Sequence, residues 1–171
     1  MTRVMGIDCG TEFTGFGVVE ELTDARRRTL KHIASGVIKL RMSDTLADRL
    51  AHAHQTLCAV IEEYEPEIVV VEEVFYSVNA KSALKLGHVR GVALLAAANC
   101  KRPVSEYSPL AVKSAVVGYG RAEKRQVQEM VGRLLGIDAP ESEDEGDALA
   151  IAICHLHTAG TLNRQKAAAQ R

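Results

Sequence analysis

Four carboxylates stand out, two of them where charge is costly to place. Asp8 ends the apolar run Val4–Asp8, and Glu72 directly follows the β-branched run Ile68–Val71. An unpaired carboxylate at the end of a buried strand costs of order several kcal/mol unless it is hydrogen-bonded or metal-bound. Asp144 and Asp147 stand three apart at the head of the apolar stretch Ala148–Cys154. In a helix their Cβ atoms share one face, roughly 5–6 Å apart. Helix starts favour acids, so capping alone would account for either aspartate; it does not account for Asp8 or Glu72. Oxygen donors on three segments, with no histidine or thiolate among them, suit Mg²⁺ or Mn²⁺ and not zinc. Two such ions about 3.5–4 Å apart can bracket a scissile phosphate, one activating water and the other steadying the leaving oxygen.

The elements that must carry these residues follow from periodicity. Val4–Asp8, Gly17–Glu21 and Leu30–Leu40 predict three strands in an antiparallel meander, with Gly10, Gly15 and Gly17 punctuating the first connection. Ser43 can cap a helix to about Tyr64, where Leu46, Leu50, Ala53 and Leu57 make one apolar face and Pro66 follows the end. Ile68–Val71 predicts a central strand covered on both faces. A helix over Asn79–Asn99, a strand over Pro103–Tyr107 and helices over Pro109–Val117, Ala122–Leu135 and Asp144–His157 complete the order β-β-β-α-β-α-β-α-α-α. That order predicts one α/β domain, a mixed sheet with helices on both faces. The 171 residues and 47% hydrophobic content fit a single domain of residues 1–158. Residues 159–171, alanine-rich and basic with no apolar period, read as a flexible C-terminal tail.

Net charge at first speaks against a nucleic-acid partner, since 21 basic residues meet 22 acidic ones. Half of the acids, however, fall in two segments without a single lysine or arginine, Glu62–Glu73 and Glu141–Asp147, which leaves the rest of the chain strongly basic. Glu62, Glu63, Glu65 and Glu67 read as a solvated face. A basic surface interrupted by acidic foci suits phosphodiester chemistry, where bases hold the polyanion and cations lie between it and the carboxylates.

Other classes fall away. No run of about 18 apolar residues could span a membrane, and Arg3, Asp8 and Glu12 interrupt any signal peptide. Cys9, Cys58, Cys100 and Cys154 lack zinc-ribbon or redox spacing, so reduced thiols in a cytoplasmic protein are expected. The pairs His52/His54 and His155/His157 have no further clustered ligands and read as helix-surface or core histidines.

The segments GIDCGTEFTGFGVV, VVEEVFYSVNAKSALKLGHVRGVALLAA, YSPLAVKSAVVGYGRAEKRQVQEMV and EGDALAIAICH resemble the RuvC-type Holliday-junction resolvases, in the right order from Val4 to His157. The resemblance implies an RNase H-like five-stranded sheet and a homodimer. It further implies Mg²⁺-dependent symmetric nicking of four-way DNA junctions in recombination and repair, together with the RuvA–RuvB branch-migration machinery. Two Mg²⁺ per subunit are expected, with Mn²⁺ able to substitute. Position by position, the family's catalytic and metal-holding acids fall on Asp8, Glu72 (not Glu73), Asp144 and Asp147. The first of the final pair alternates between aspartate and histidine among relatives, and Glu143 and Glu145 flank it here.

Phe75 matches an aromatic placed near the branch point, where stacking is worth about 1–3 kcal/mol per base, and Tyr76 is its neighbour. Lys113 and Lys124 match basic positions near the scissile phosphate, and Lys113 is assigned a catalytic part. Lys81, Lys85, Arg121 and Arg125 complete the expected DNA contacts. Ala83, Gly87 and Gly91 form a smooth stripe on their helix, suited to a dimer axis or equally to packing on the sheet.

Three other readings compete. The glycines after Asp8 also resemble the first phosphate loop of the actin-like kinases, but such an enzyme needs a second lobe, and the chain shows no repeat. An RNase H-like nuclease acting on RNA would lack the VFYSVNAKSALKLG segment. A non-catalytic junction-binding module would not need the intact acid set.

Overall fold

A computed structural model describes residues 1–24, 27–73 and 80–169, with side chains described to residue 159 except at 24 and 27. Five strands form one sheet in the order β3-β2-β1-β4-β5. They are β1 (Thr2–Asp8), β2 (Phe13–Asp24), β3 (Arg27–Lys39), β4 (Ile68–Glu72) and β5 (Val104–Tyr107). β1, β2 and β3 pair antiparallel, and β1, β4 and β5 pair parallel, so the mixed sheet is as expected. The helices are α1 (Leu46–Tyr64), α2 (Ala80–Asn99), α3 (Pro109–Val117), α4 (Lys124–Leu135) and α5 (Glu143–Ala169).

Strand alternation sorts the core into two layers. Met5, Ile7, Val18, Val69 and Val71 point to one face and pack with α1 and α2. Val4, Val19 and Val70 point to the other and pack with α3, α4 and α5. Asp8 continues the Val4–Gly6 face, and Glu72 continues the Val70 face. Both acids therefore emerge on the α5 side, where the apolar core stops.

On that side three glycines let α5 lie directly on the strands. A Cβ at Gly6 would overlap the Ala148 carbonyl, one at Gly15 the Asp144 carbonyl, and one at Gly17 the Leu149 side chain and backbone. Gly6 pairs with Gly17 and Asp8 with Gly15 across β1 and β2, so these positions form one contiguous seam under the helix. The glycines between Asp8 and Val18 thus serve close helix–sheet approach as well as the turn.

Two helix boundaries differ from expectation for local reasons. Thr45, not Ser43, caps α1, accepting the Asp48 N–H on its hydroxyl; Ser43 instead bonds to Asp44. Leu40 donates to Glu12, tying the start of this connection to the β1–β2 turn and delaying the helix. α5 does not stop at His157 but continues to Ala169, because an alanine-rich segment needs no apolar face to stay helical. Among the described residues no helix is long and apolar enough to cross a membrane.

The smooth stripe on α2 does not rest on the sheet. That helix buries Val89, Ala93, Ala96 and Ala97, whereas a Cβ on Gly87 or Gly91 would meet nothing within 4 Å. Leu84 and Leu95 are more than half exposed on the same helix.

Candidate active site

β1 and β4 run parallel with Ile7 beside Val71, so the next residues along the register are Asp8 and Glu72. α5 starts above them on the glycine seam, which brings Asp144 and Asp147 into the same field. All three partners act on Asp8: burial, then the charges of Asp147, Glu72 and Asp144, push its carboxyl up to about 7, against a smaller pull downward from Lys124. Burial raises Glu72 as well, reinforced by Asp147 and opposed by Lys113 and Lys124. The four acids expected from sequence thus converge at one end of the sheet.

Two of the expected bases lie beside them. Glu72, Lys113, Lys124 and Asp147 line a cavity of about 210 Å³, floored by Val112, Val127 and Ala150. Lys124 Nζ stands 2.9 Å from Asp147 Oδ2 and 3.0 Å from Glu143 Oε2. Burial disfavours its charge, but the bonds to Asp147 and Glu143 outweigh that and hold the ammonium protonated beyond the ordinary lysine range.

The remaining expected contacts are spread more widely. Arg121 is exposed between α3 and α4, and Arg125 pairs with Glu129 one helical turn on, at 3.6 Å. Lys81 and Lys85 are exposed on the first turns of α2. Phe75 and Tyr76 lie outside the described residues. Three of the four paired histidines have structural partners, His54 bonding to Asn99, His155 to the Tyr107 hydroxyl and His157 to the Ala115 carbonyl, and His52 is exposed on α1.

Two residues near the acids were not singled out from sequence. Gln128 Nε2 donates to Asp147 Oδ1 at 2.9 Å and to the Glu143 carbonyl at 3.3 Å. Its spacing of four from Lys124 places both on one face of α4, and that spacing was the available signal. Arg90, a lone cation in the apolar part of α2, donates through Nε to the Glu72 carbonyl at 3.3 Å and pairs with Glu106.

Glu143 and Glu145 face different partners. Glu143 reaches Lys124, whereas Glu145 turns toward β3 and accepts from Ser35. Glu143 thus shares Lys124 with Asp147, whereas Glu145 is held away from the other acids. Among the described residues no group of three His, Cys, Asp or Glu side chains is closed up tightly enough to hold an ion as it stands. The donor chemistry nevertheless fits divalent magnesium or manganese. The oxygens are hard, burial together with the charges of its neighbours pushes the Asp8 carboxyl up to about 7, and the Lys124 ammonium already sits against Asp147 as a single counter-charge.

Comparison with known proteins decides the family. The family described as crossover junction endodeoxyribonuclease RuvC matches residues 4–155. This chain belongs to the RuvC family. The RuvC of Koribacter versatilis is 61% identical over 98% of this chain and 99% of its own length, and that of Acidobacterium capsulatum is 55% identical over 96% and 98%. A solved structure of Thermus thermophilus RuvC superposes with a TM-score of 0.86 at 34% identity, covering 94% of this chain and 96% of that one. The T. thermophilus RuvC complex with Holliday junction substrate superposes at 0.84 and 32%. A yeast mitochondrial Holliday junction resolvase, at 15% identity and a TM-score of 0.69, shows the shared fold alone. The fold is RNase H-like, as the RuvC-type resemblance implied.

Proposed function

We propose that this protein resolves four-way DNA junctions as a cytoplasmic homodimer, nicking two opposed strands symmetrically in recombination and repair. The observation that carries the reading is the convergence of Asp8, Glu72, Asp144 and Asp147 beside Lys113 and Lys124, in a chain that matches RuvC over nearly its whole length.

Asp8, Glu72, Asp144 and Asp147 would hold two Mg²⁺ ions, with Mn²⁺ able to substitute. Bound there, divalent ions supply Lewis acidity, neutralising charge on the scissile phosphate and activating the attacking water. The protein does the rest by position. Lys113 and Lys124 offer fixed ammonium groups at the rim of the carboxylate cavity, where the phosphate's oxygens must come. Gln128 holds Asp147 Oδ1 by hydrogen bond, and Lys124 occupies Oδ2, so between them they fix the orientation of this carboxylate. Arg90 fixes the main chain at Glu72, so that this carboxylate projects from a strand end that does not fray.

Beyond the cavity, Lys81, Lys85, Arg121, Lys124 and Arg125 would contact phosphates. Phe75 and Tyr76, directly after Glu72, would meet bases near the branch point. The open stripe of α2, with Gly87, Gly91 and the exposed Leu84 and Leu95, supports pairing with a second copy, since its alternative of packing on the sheet is not taken. A two-fold dimer suits a junction with two opposed strands, because each strand then meets its own site. RuvA and RuvB are the partners that the family membership brings with it, and 159–171 would be a basic extension of the nuclease domain.

The deciding experiment is cleavage of a synthetic four-way junction by purified protein with and without Mg²⁺. Wild type is expected to release paired symmetric nicks. Asp8→Asn is expected to bind the junction with wild-type affinity and not cut it. Cutting that survives EDTA, or survives Asp8→Asn, would overturn the metal mechanism. Equal binding of four-way and linear DNA in competitor would instead mark a general nuclease.

A further inference from the structure

The run Glu143-Asp144-Glu145 opens α5, and only its middle member faces the other catalytic acids. Glu145 points the opposite way from Glu143. Its Oε1 accepts the Ser35 hydroxyl, and its Oε2 accepts the Glu141 N–H at 2.9 Å. Ser35 Oγ in turn lies 2.6 Å from His32 Nε2. A serine hydroxyl has one proton, and here it is given to Glu145, so Ser35 must accept from an Nε2–H of His32. The chain of bonds therefore has one direction, from His32 through Ser35 to Glu145.

Its position in the fold gives this chain a task. Ser35 pairs with Gly17 and Val37 with Gly15, so Ser35 stands on the α5 side of β3, one strand out from the glycine seam. The Asp144 main chain rests against Gly15. On the far side, α4 grips the same turn through Lys124 to Glu143 and Gln128 to the Glu143 carbonyl. The first turn of α5 is thus slung between α4 and β3. A cavity of about 400 Å³, lined by His32, Ser35, Glu141, Ser142 and Glu145, lies next to the β3 attachment. The turn has open space there into which it could shift if the bonds were lost.

We propose that His32, Ser35 and Glu145 are positioning residues that fix the first turn of α5, and with it Asp144, for divalent-ion binding. The inference rests on the reading of Asp144 as a cation-holding acid. None of the three touches substrate or ion; they act through the main chain that Asp144 and Glu145 share. Partners of this kind beyond the ligands themselves typically govern metal affinity by about 10-fold or more.

The test is Mn²⁺ binding to the junction-free full-length protein by calorimetry, beside single-turnover junction cleavage across a Mg²⁺ titration. Asp144→Asn provides the reference and is expected to weaken Mn²⁺ binding. Ser35→Ala and His32→Phe are expected to weaken Mn²⁺ about 10-fold and to raise the Mg²⁺ midpoint by a similar factor, with junction affinity within about twofold of wild type. His32→Gln keeps an N–H donor and should recover most of the loss. Glu145→Gln keeps one of two acceptors and should fall between wild type and Ser35→Ala. Arg28→Ala removes the Arg28–Glu21 pair between β3 and β2 and the bond from Arg28 to the Leu156 carbonyl, far along α5 from its first turn, and should lower Tm without moving the Mn²⁺ affinity. If Ser35→Ala lowers Tm alone while Asp144→Asn loses Mn²⁺, the relay is overturned and the metal reading stands. If Asp144→Asn binds Mn²⁺ like wild type, the metal reading of Asp144 fails, and the relay's purpose fails with it.

Discussion

Lys124 Nζ is bonded to Asp147 Oδ2 at 2.9 Å, so the cavity proposed to take divalent cations already holds one monovalent charge of its own. That ammonium opposes the rise of both Asp8 and Glu72. It stabilises the carboxylates and at the same time competes with whatever other cation approaches them. Lys124→Gln should therefore split two quantities that usually move together. Divalent ions should bind several-fold more tightly, and turnover of bound junction should fall about 10-fold or more, as expected for loss of a positioned charge. Calorimetry with Mn²⁺ and single-turnover cleavage measure the two separately, and a loss in both would show that Lys124 does not compete.

The raised Asp8 carboxyl gives a signed pH dependence. With a folded value near 7 against an ordinary 3.8, the metal-free folded state holds this proton more tightly than the unfolded chain. Its contribution is full below about 4 and is lost as pH rises toward 7. The Tm difference between wild type and Asp8→Asn in EDTA should therefore shift against wild type across that window and level off above it. Mg²⁺ should remove the trend and raise wild-type Tm more at pH 8 than at pH 5. The Mg²⁺ midpoint for cleavage should fall with rising pH until about 7. A pH-independent midpoint would mean that Asp8 gives up no proton to metal.

Gly15→Ala tests the seam. A methyl group there would collide with the Asp144 carbonyl, which is main chain and cannot rotate away. Overpacking costs about 1–3 kcal/mol in ordinary cores, and here the upper end is expected, read as a lower midpoint in urea. Because the displaced atoms belong to Asp144, cleavage should fall further than stability alone explains, while junction affinity changes little.

The α2 stripe makes the oligomeric prediction. Gly91→Arg adds a long cation where a single chain has free space, so the monomer should fold with near-wild-type circular dichroism. Sedimentation should then report monomers, and paired nicking should give way to slow, unpaired cuts. A dimer that survives this substitution must use another face.

Asp8 and Glu72 stood out in the sequence because each ends an apolar strand, where its cost is visible, whereas Asp144 and Asp147 stand at a helix start that favours acids and were singled out by their spacing and by resemblance. The choice of Glu72 over Glu73 came from resemblance alone. Strand alternation supplies the reason, since Glu72 shares its face with Val70. Residues that act through shape or hydrogen bonds gave weaker signals. Gln128 and Ser35 are ordinary polar residues in sequence, and only the packing of α4 and β3 against α5 gives them partners. The glycines after Asp8 were visible as punctuation, but their role in bringing α5 onto the strands depends on a helix more than a hundred residues away. The Ala83–Gly91 stripe left two readings open, and the burial of α2 argues only against the packing of Gly87 and Gly91 on the sheet.

The glycine seam also bears on how such a sequence can drift. Where α5 meets β1 and β2 at Gly6 and Gly15, the limit of approach is set by carbonyl groups and not by the volume of core side chains. Leucines and valines deeper in that layer could exchange for one another over generations, and the acids would keep their spacing. The distance between the carboxylates is thereby tied most directly to a few residues with no side chain at all.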